Sequence, residues 1–243
     1  MLDQVLDSPL NLGVEALLIL SILIVLETVL SADNAIALAA LSQGIEDSKL
    51  QHRALNFGII AAFVLRVCLI LTATWVTKFW QFELLGAAYL LWLAWQYFTS
   101  DESNGHEHHG PRFTSIWQAI PMIALTDLAF SLDSVTTAIA VSDDTWLVLT
   151  GGAIGIITLR FLAELFIRWL DEFVYLQDAG YLTVALVGLR LLLRVFIPGL
   201  VPPQWLMILS ITLIFVWGFS KHKPTVSAEK KTTQVISDEP ESF

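Results

Sequence analysis

The chain has 243 residues, of which 56% are hydrophobic and only 15% charged, and its mean hydropathy is +0.68. A soluble domain of ordinary make-up is about 25% charged, so these proportions exclude one and place the chain among proteins that cross a membrane several times. The formal net charge of -10 identifies no partner, nucleic acid or otherwise, because many of the acids sit in the first fifteen positions, the connections and the tail, where water solvates them.

A spanning helix needs about 20 mostly apolar residues. Met1 to Gly13 holds no Lys or Arg, so it lacks the positive start of a signal peptide, and nothing in it resembles an Arg-rich transit peptide. The first apolar run is therefore expected to stay as a helix. Seven spans are expected, over Val14–Leu41, Ala54–Val76, Leu84–Phe98, Ser115–Val141, Trp146–Trp169, Ala179–Ile197 and Trp205–Ser220. Cys68 lies inside the second span and reads as a buried, inert thiol. One cysteine allows no intrachain disulfide and no thiolate metal site. Trp75, Trp80, Trp146, Trp169, Trp205 and Trp217 fall near helix ends, as an interfacial aromatic belt requires. Trp92 and Trp95 are mid-segment and are expected between helices. The polar connection from Asp101 to Gly110 carries His106-Glu107-His108-His109; a flexible loop with no fixed supporting groups is a poor metal site, so this cluster reads as solvated. Residues 221–243 are polar and expected to be a disordered tail, leaving 1–220 as the membrane domain.

Lys and Arg set the orientation. Lys49 and Arg53, Arg112, Arg168, and the tail lysines occupy alternate connections, while the N-terminus and the fourth connection have none, the second has Lys78 and the sixth only Arg194 at its edge. The N-terminus is expected outside and the C-terminus in the cytoplasm.

Two spans carry acids, and they carry the same pattern. Leu26-Glu27-Thr28-Val29-Leu30-Ser31-Ala32-Asp33-Asn34 is matched by Thr126-Asp127-Leu128-Ala129-Phe130-Ser131-Leu132-Asp133-Ser134, at an offset of 100 residues. Arg66 and Gly86 match Arg160 and Gly180 at an offset of 94. A three-helix unit reverses direction, so a second copy is inverted. Residues 14–98 and 115–197 are expected to form such a pair, with the seventh helix added, and folds of this kind bind substrate near the midplane where the copies meet.

Carboxylates are costly in hydrocarbon, so Glu27, Asp33, Asp127 and Asp133 read as a functional site and a cation pathway. On a straight helix Glu27, Ser31 and Asn34 share a face, and Asp33 lies about 120° away. Helix four repeats this with Asp127, Ser131, Ser134 and Asp133. Either the helices unwind near Ser31-Ala32 and Ser131-Leu132, which is the expectation favoured, or each lines two faces. Carboxylate, hydroxyl and amide oxygens suit Mg²⁺, Ca²⁺ or Mn²⁺. Four carboxylates exceed a divalent charge, so exchange of metal for protons is natural, and removing one is expected to relieve repulsion in the empty protein. Arg66 and Arg160 could neutralise site carboxylates or simply pair helices; Arg160 and Glu164 are spaced to pair with each other. Glu83 and Arg194 are near ends and are expected to reach water. No Walker motif, dinucleotide-binding glycine pattern or nucleophile elbow is present, so neither an ATP-driven pump nor an enzyme is indicated.

The paired motifs, Glu-Thr-Val-Leu-Ser-Ala-Asp-Asn and Asp-Leu-Ala-Phe-Ser-Leu-Asp-Ser, resemble those of the TerC family of integral membrane proteins over about Val14 to Ser220. The family is named for tellurium resistance, and its members are linked to Mn²⁺ export and, in plastids, to thylakoid biogenesis. The resemblance implies an all-α transporter of a bacterial-type plasma membrane or a thylakoid. It also implies Mn²⁺ as the transported ion, with no resident cofactor, and a metal site of Glu27, Asp33, Asn34, Asp127 and Asp133, with Ser31 and Ser131 as lesser members. Its rival implication is a membrane assembly factor that moves no ion.

Overall fold

In the computed structural model the described residues are 9–45, 47–99, 113, 115–142 and 144–223, without the side chains of 9–15, 29, 30, 33 and 48. Among them are seven α-helices: α1 Pro9–Ser42, α2 Ser48–Val76, α3 Trp80–Thr99, α4 Ile116–Val141, α5 Thr145–Glu172, α6 Leu176–Phe196 and α7 Gln204–Gly218. A short 3-10 turn, Pro198–Leu200, separates the last two. The histidine cluster 106–109 and the tail beyond 223 lie outside the described residues.

The ends are set locally. Asp47 accepts from the backbone N–H of Lys49 and Leu50, Ser115 from Trp117, and Asp144 from Trp146, each satisfying a donor that its helix cannot. Among the described residues, stretches of four helices (α2, α4, α5 and α6) are long and apolar enough to cross a membrane. Shorter apolar stretches, Ala16–Thr28 and Gln204–Gly218, occur in α1 and α7.

Short connections make neighbouring helices run in opposite directions. The far ends meet: the N–H of Phe113 donates to the carbonyl of Gly44 at 2.9 Å, and Gln43 Nε2 donates to Asp171 Oδ1 at 3.4 Å. Packing, however, is not between sequence neighbours. α1 packs chiefly on α5, α2 on α4, and α3 on α6, with α1 also touching α4 and α6. Exchanging α1–α3 with α4–α6 maps this set of pairings onto itself. Between helices in lipid, close approach of backbones does what hydrophobicity does in water, and small residues permit it. A Cβ on Gly58 would lie 2.6 Å from Ile123, and one on Gly151 would lie 3.2 Å from Leu23.

Burial repeats with the motifs. Leu23, Glu27, Ser31 and Asn34 are buried, and so are Ile123, Asp127, Ser131 and Ser134. In α3 and α6, Gly86, Ala87, Leu90, Leu93, Ala94 and Tyr97 correspond to Gly180, Tyr181, Val184, Val187, Gly188 and Leu191, all buried at an offset of 94. In α2 and α5 the buried sets coincide at 93: Leu55, Gly58, Ala62, Arg66, Ile70 and Ala73 against Val148, Gly151, Gly155, Leu159, Ala163 and Phe166. The counterpart of Arg66 by burial is thus Leu159. The one-residue slip puts Arg160 on a different face from its expected match.

Four expectations are corrected. α1 and α4 run unbroken through Ser31-Ala32 and Ser131-Leu132, since no Gly or Pro interrupts the backbone ladder there. Trp92 and Trp95 face outward, Trp95 at 71% exposure, because the buried face of α3 is its small-residue side against α6. Cys68 is exposed, next to the outward-facing Val64 and Leu71. The tail does not begin at 221: the N–H of Val174 donates to the Lys221 carbonyl, the N–H of Lys223 to that of Glu172, and the His222 ring lies 4.1 Å from Phe173.

The alternation is directly testable. Lys49 and Thr145 are exposed at opposite ends of the bundle. In a Cys68→Ala background, Lys49→Cys and Thr145→Cys should react with an impermeant maleimide from opposite sides of sealed vesicles. Labelling of both from one side would exclude this arrangement.

Candidate functional site

The acid-bearing faces of α1 and α4 form two clusters of buried charge. At the first, Arg66 of α2 donates from Nη1 to Glu27 Oε1 of α1 and from Nη2 to Asp127 Oδ1 of α4, the latter at 3.1 Å. Arg66 is 1% exposed and Asp127 0%. Ser131, one turn after Asp127, donates to Asp127 Oδ2 at 3.3 Å. Ser31 holds the matching place after Glu27 and is fully buried. The cluster carries two carboxylates and one guanidinium, so one negative charge remains in excess. α5 leaves room for it: a Cβ on Gly155 would fall 2.1 Å from Glu27 Cγ. A void of about 10 Å³ beside Glu27, Arg66 and Gly151 has room for about one water.

The second cluster lies six residues further along α4, on the other face, as 100° per residue requires. Arg190 of α6 donates from Nη1 to Asp133 Oδ2, and Arg194 Nη2 stands 2.6 Å from Asp133 Oδ1. Arg194 Nη1 is 3.7 Å from Glu83 Oε1 at the start of α3. This cluster holds two acids and two guanidinium groups and is neutral. Asp133 and Arg190 also line a cavity of about 390 Å³. Asn34 and Ser134 line it as well, so residues of both motifs share it; Leu162, Val187 and one face of α7 complete the wall.

The expected site residues therefore divide. Glu27, Ser31, Asp127 and Ser131 go with Arg66, while Asn34 and Asp133 go with the cavity. Of the two helical geometries considered, α4 realises the straight one with two working faces. The side chain of Asp33 lies outside the described residues. Its backbone position is nine residues before the end of α1 at Ser42, and Asp133 is eight before the end of α4 at Val141; those ends are on opposite sides of the bundle. Among the described residues no three His, Cys, Asp or Glu side chains gather where they could hold a metal ion. Arg66 takes the neutralising role. Arg160 instead donates to Glu164 Oε2 at 2.7 Å and to Asn56 Oδ1 at 2.6 Å, on an outward face.

Two expectations change here. Arg194 turns inward to Asp133 instead of reaching for water. Asp133 lies between two guanidinium groups, so losing its charge relieves no repulsion; it leaves the buried Arg190 without its acid and the half-buried Arg194 with Glu83 alone. The sequence held an unused signal for this. Arg190 and Arg194 are one turn apart on one face of an apolar helix, and two such charges need a shared acid.

The sequence profile of the Integral membrane protein TerC family matches residues 12–225. The Uncharacterized membrane protein YceF of Bacillus subtilis is 32% identical over 198 residues, covering 79% of this chain and 75% of that protein. The inner membrane protein YgdQ of Escherichia coli K12 is 29% identical over 196 residues, covering 74% of this chain and 82% of its own. The thylakoid membrane protein TERC of Arabidopsis thaliana is 29% identical over 203 residues, 71% of this chain but only 53% of the plant protein. No solved structure matches the chain.

Two substitutions check the geometry. Removing one partner of a buried ion pair costs about 3–5 kcal/mol, so Arg66→Met should sharply lower the unfolding temperature in detergent. Asp133→Asn should lower it as well, because Arg190 and Arg194 lose their shared acid. Gly155→Ala drives a methyl into Glu27 and should cost about 1–3 kcal/mol as an overpacked core does. Gly199→Ala, with nothing within 4 Å of its Cβ, is the silent control.

Proposed function

Because the chain belongs to the TerC family of integral membrane proteins, we propose that it is a secondary transporter that exports Mn²⁺ across the membrane in exchange for protons. The observation that carries this reading is the cavity where Asn34 of one motif and Asp133 and Ser134 of the other meet inside an apolar bundle. Oxygen donors of this kind suit Mn²⁺, Ca²⁺ or Mg²⁺ alike, and the resemblance to Mn²⁺-exporting members of the family puts Mn²⁺ first. An intramembrane acid opening on a cavity is what a cation pathway needs, and here Asp133, Arg190, Asn34 and Ser134 supply polar groups to a largely apolar lining. Asp33 is proposed to complete the path on the opposite half of the bundle, with Glu27 and Asp127 between.

The same reading makes all seven helices transmembrane, with the N-terminus outside and the C-terminus in the cytoplasm of a bacterial-type plasma membrane or facing the equivalent side of a thylakoid. Helices α1–α3 and α4–α6 form an inverted pair. Three observations support it: the main pairings are unchanged when the halves are exchanged, the buried positions recur from one half to the other, and the lysines and arginines of alternate connections gather at one end of the bundle. Such pairs move substrate by rocking one half against the other about a central site.

A second reading, a membrane assembly factor without transport, is favoured by one observation: Glu27, Asp127 and Asp133 are all paired with arginine and need no metal to stay buried. Proteoliposomes separate the two. The wild type should accumulate Mn²⁺ when the vesicle interior is acidic, so that outward proton flow drives uptake, in preference to Ca²⁺, Mg²⁺ and Zn²⁺. Asp33→Asn and Asp133→Asn should abolish that uptake. Mn²⁺ should also raise the melting temperature of the wild type, as any ligand of the folded state does, and raise it less in both variants. Normal Mn²⁺ movement by both variants, or none by the wild type, would turn the conclusion to the assembly factor.

A further inference from the structure

The halves match in their acids but not in their bases. Glu27 answers to Asp127 and Asp33 to Asp133, yet by the registers that superimpose burial Arg66 answers to Leu159, Arg190 to Gln96 and Arg194 to Ser100. Each arginine therefore stands in one half with no counterpart in the other, Arg66 in α1–α3 and Arg190 and Arg194 in α4–α6. Arg190 is the one that also lines the cavity, and its guanidinium is spent on Asp133, the acid that the same cavity exposes.

We propose that Arg190 is a tethered competitor of the transported cation, occupying Asp133 while the carrier is empty and yielding it when a divalent ion arrives. This rests on the reading of Asp133 as a cation ligand. The charge count requires some such exchange. Asp133, Glu83, Arg190 and Arg194 sum to zero, so an Mn²⁺ added without displacement would leave two uncompensated positive charges in a buried site, where isolated charge is costly. Arginine does not escape by losing its proton, since it stays charged under all ordinary conditions. It has to move. The structure offers each a route off Asp133: Glu83 for Arg194, 3.7 Å away and on a different helix from Asp133, and the cavity of about 390 Å³ for Arg190, whose charge is taken off the count only as it swings away from the acids along that cavity. Loading the ion then separates α6 from α4 electrostatically, and unloading draws them together again. An internal cation of this kind keeps the empty Asp133 site neutral, so that this half returns without a proton on Asp133 and any proton coupling falls to the other carboxylates, and it lowers affinity for the ion by competing with it.

The test measures Mn²⁺ binding and transport on the full chain. Free Mn²⁺ is read by its paramagnetic resonance signal during titration of the detergent-solubilised protein, and transport in proteoliposomes. Arg190→Gln should bind Mn²⁺ about tenfold more tightly than wild type, in the range usual for coupled sites, while its maximal transport rate falls. A purely structural role would weaken binding and rate together. Arg190→Lys keeps the charge but loses the planar fork, so it should bind a few-fold more tightly (about threefold) and keep part of the rate. It also covers the case in which Arg190→Gln fails to fold. Unchanged or weaker Mn²⁺ binding in a folded Arg190→Gln, or in Arg190→Lys if only that folds, overturns the proposal. Asp133→Asn distinguishes the two layers: if it binds Mn²⁺ as tightly as wild type, the cation site at Asp133 itself is wrong. If it loses binding and Arg190→Gln gains none, only the tethered competitor is wrong.

Discussion

Arg66 reaches from α2 to Glu27 on α1 and Asp127 on α4 at once, and the packing around it depends on that bridge. Three charges in the middle of an apolar bundle are tolerable only if their geometry is kept, since each is expensive alone. The geometry is kept by the surrounding small residues. Gly155 gives Glu27 its space, and Gly58 and Gly151 bring α2 onto α4 and α5 onto α1. One guanidinium thereby fixes the relative height of three helices, α1, α2 and α4. In lipid, where apolar surfaces gain little by meeting one another, a polar bridge with close backbone contact is an effective way to specify one register.

The bridge leaves an imbalance that the rest of the molecule distributes. The Arg66 cluster is one charge negative, whereas the Asp133 cluster is neutral and opens on a cavity. On the proposed transport reading, the cation path has a fixed, anionic centre and a movable, neutral gate on one side. The acids recur at matching positions and the arginines do not. Under that reading the two ways for the halves to rock would be equivalent in the frame, and the asymmetric bases would give them different energies. This division of labour would also serve a protein whose role is to be rigid on one half and adaptable on the other. That is why the charge-neutral variants at Asp33 and Asp133 are more informative than stability alone.

The sequence by itself determined the class of protein and the rough extent of the helices among the described residues, and it singled out the paired acids. Apolar runs of spanning length are a one-dimensional signal, and the observed helices begin and end within a few residues of those expected, apart from α1 and α2, whose starts extend further. The two motifs were legible because an acid in such a run is rare and a repeated one rarer. Tertiary structure decided everything that depends on which face of one helix meets which face of another. Hydropathy does not separate a lipid-facing apolar residue from one facing another helix, so Trp92, Trp95 and Cys68 were placed on the wrong side. Nor does an offset in sequence fix register: a slip from 94 to 93 in α2 and α5 sent Arg160 outward and left Arg66 alone in the core. Only the assembled bundle shows that Asp133 is held by Arg190 and Arg194, because an ion pair between helices about sixty residues apart is set by packing distance, and no local pattern in the chain records it.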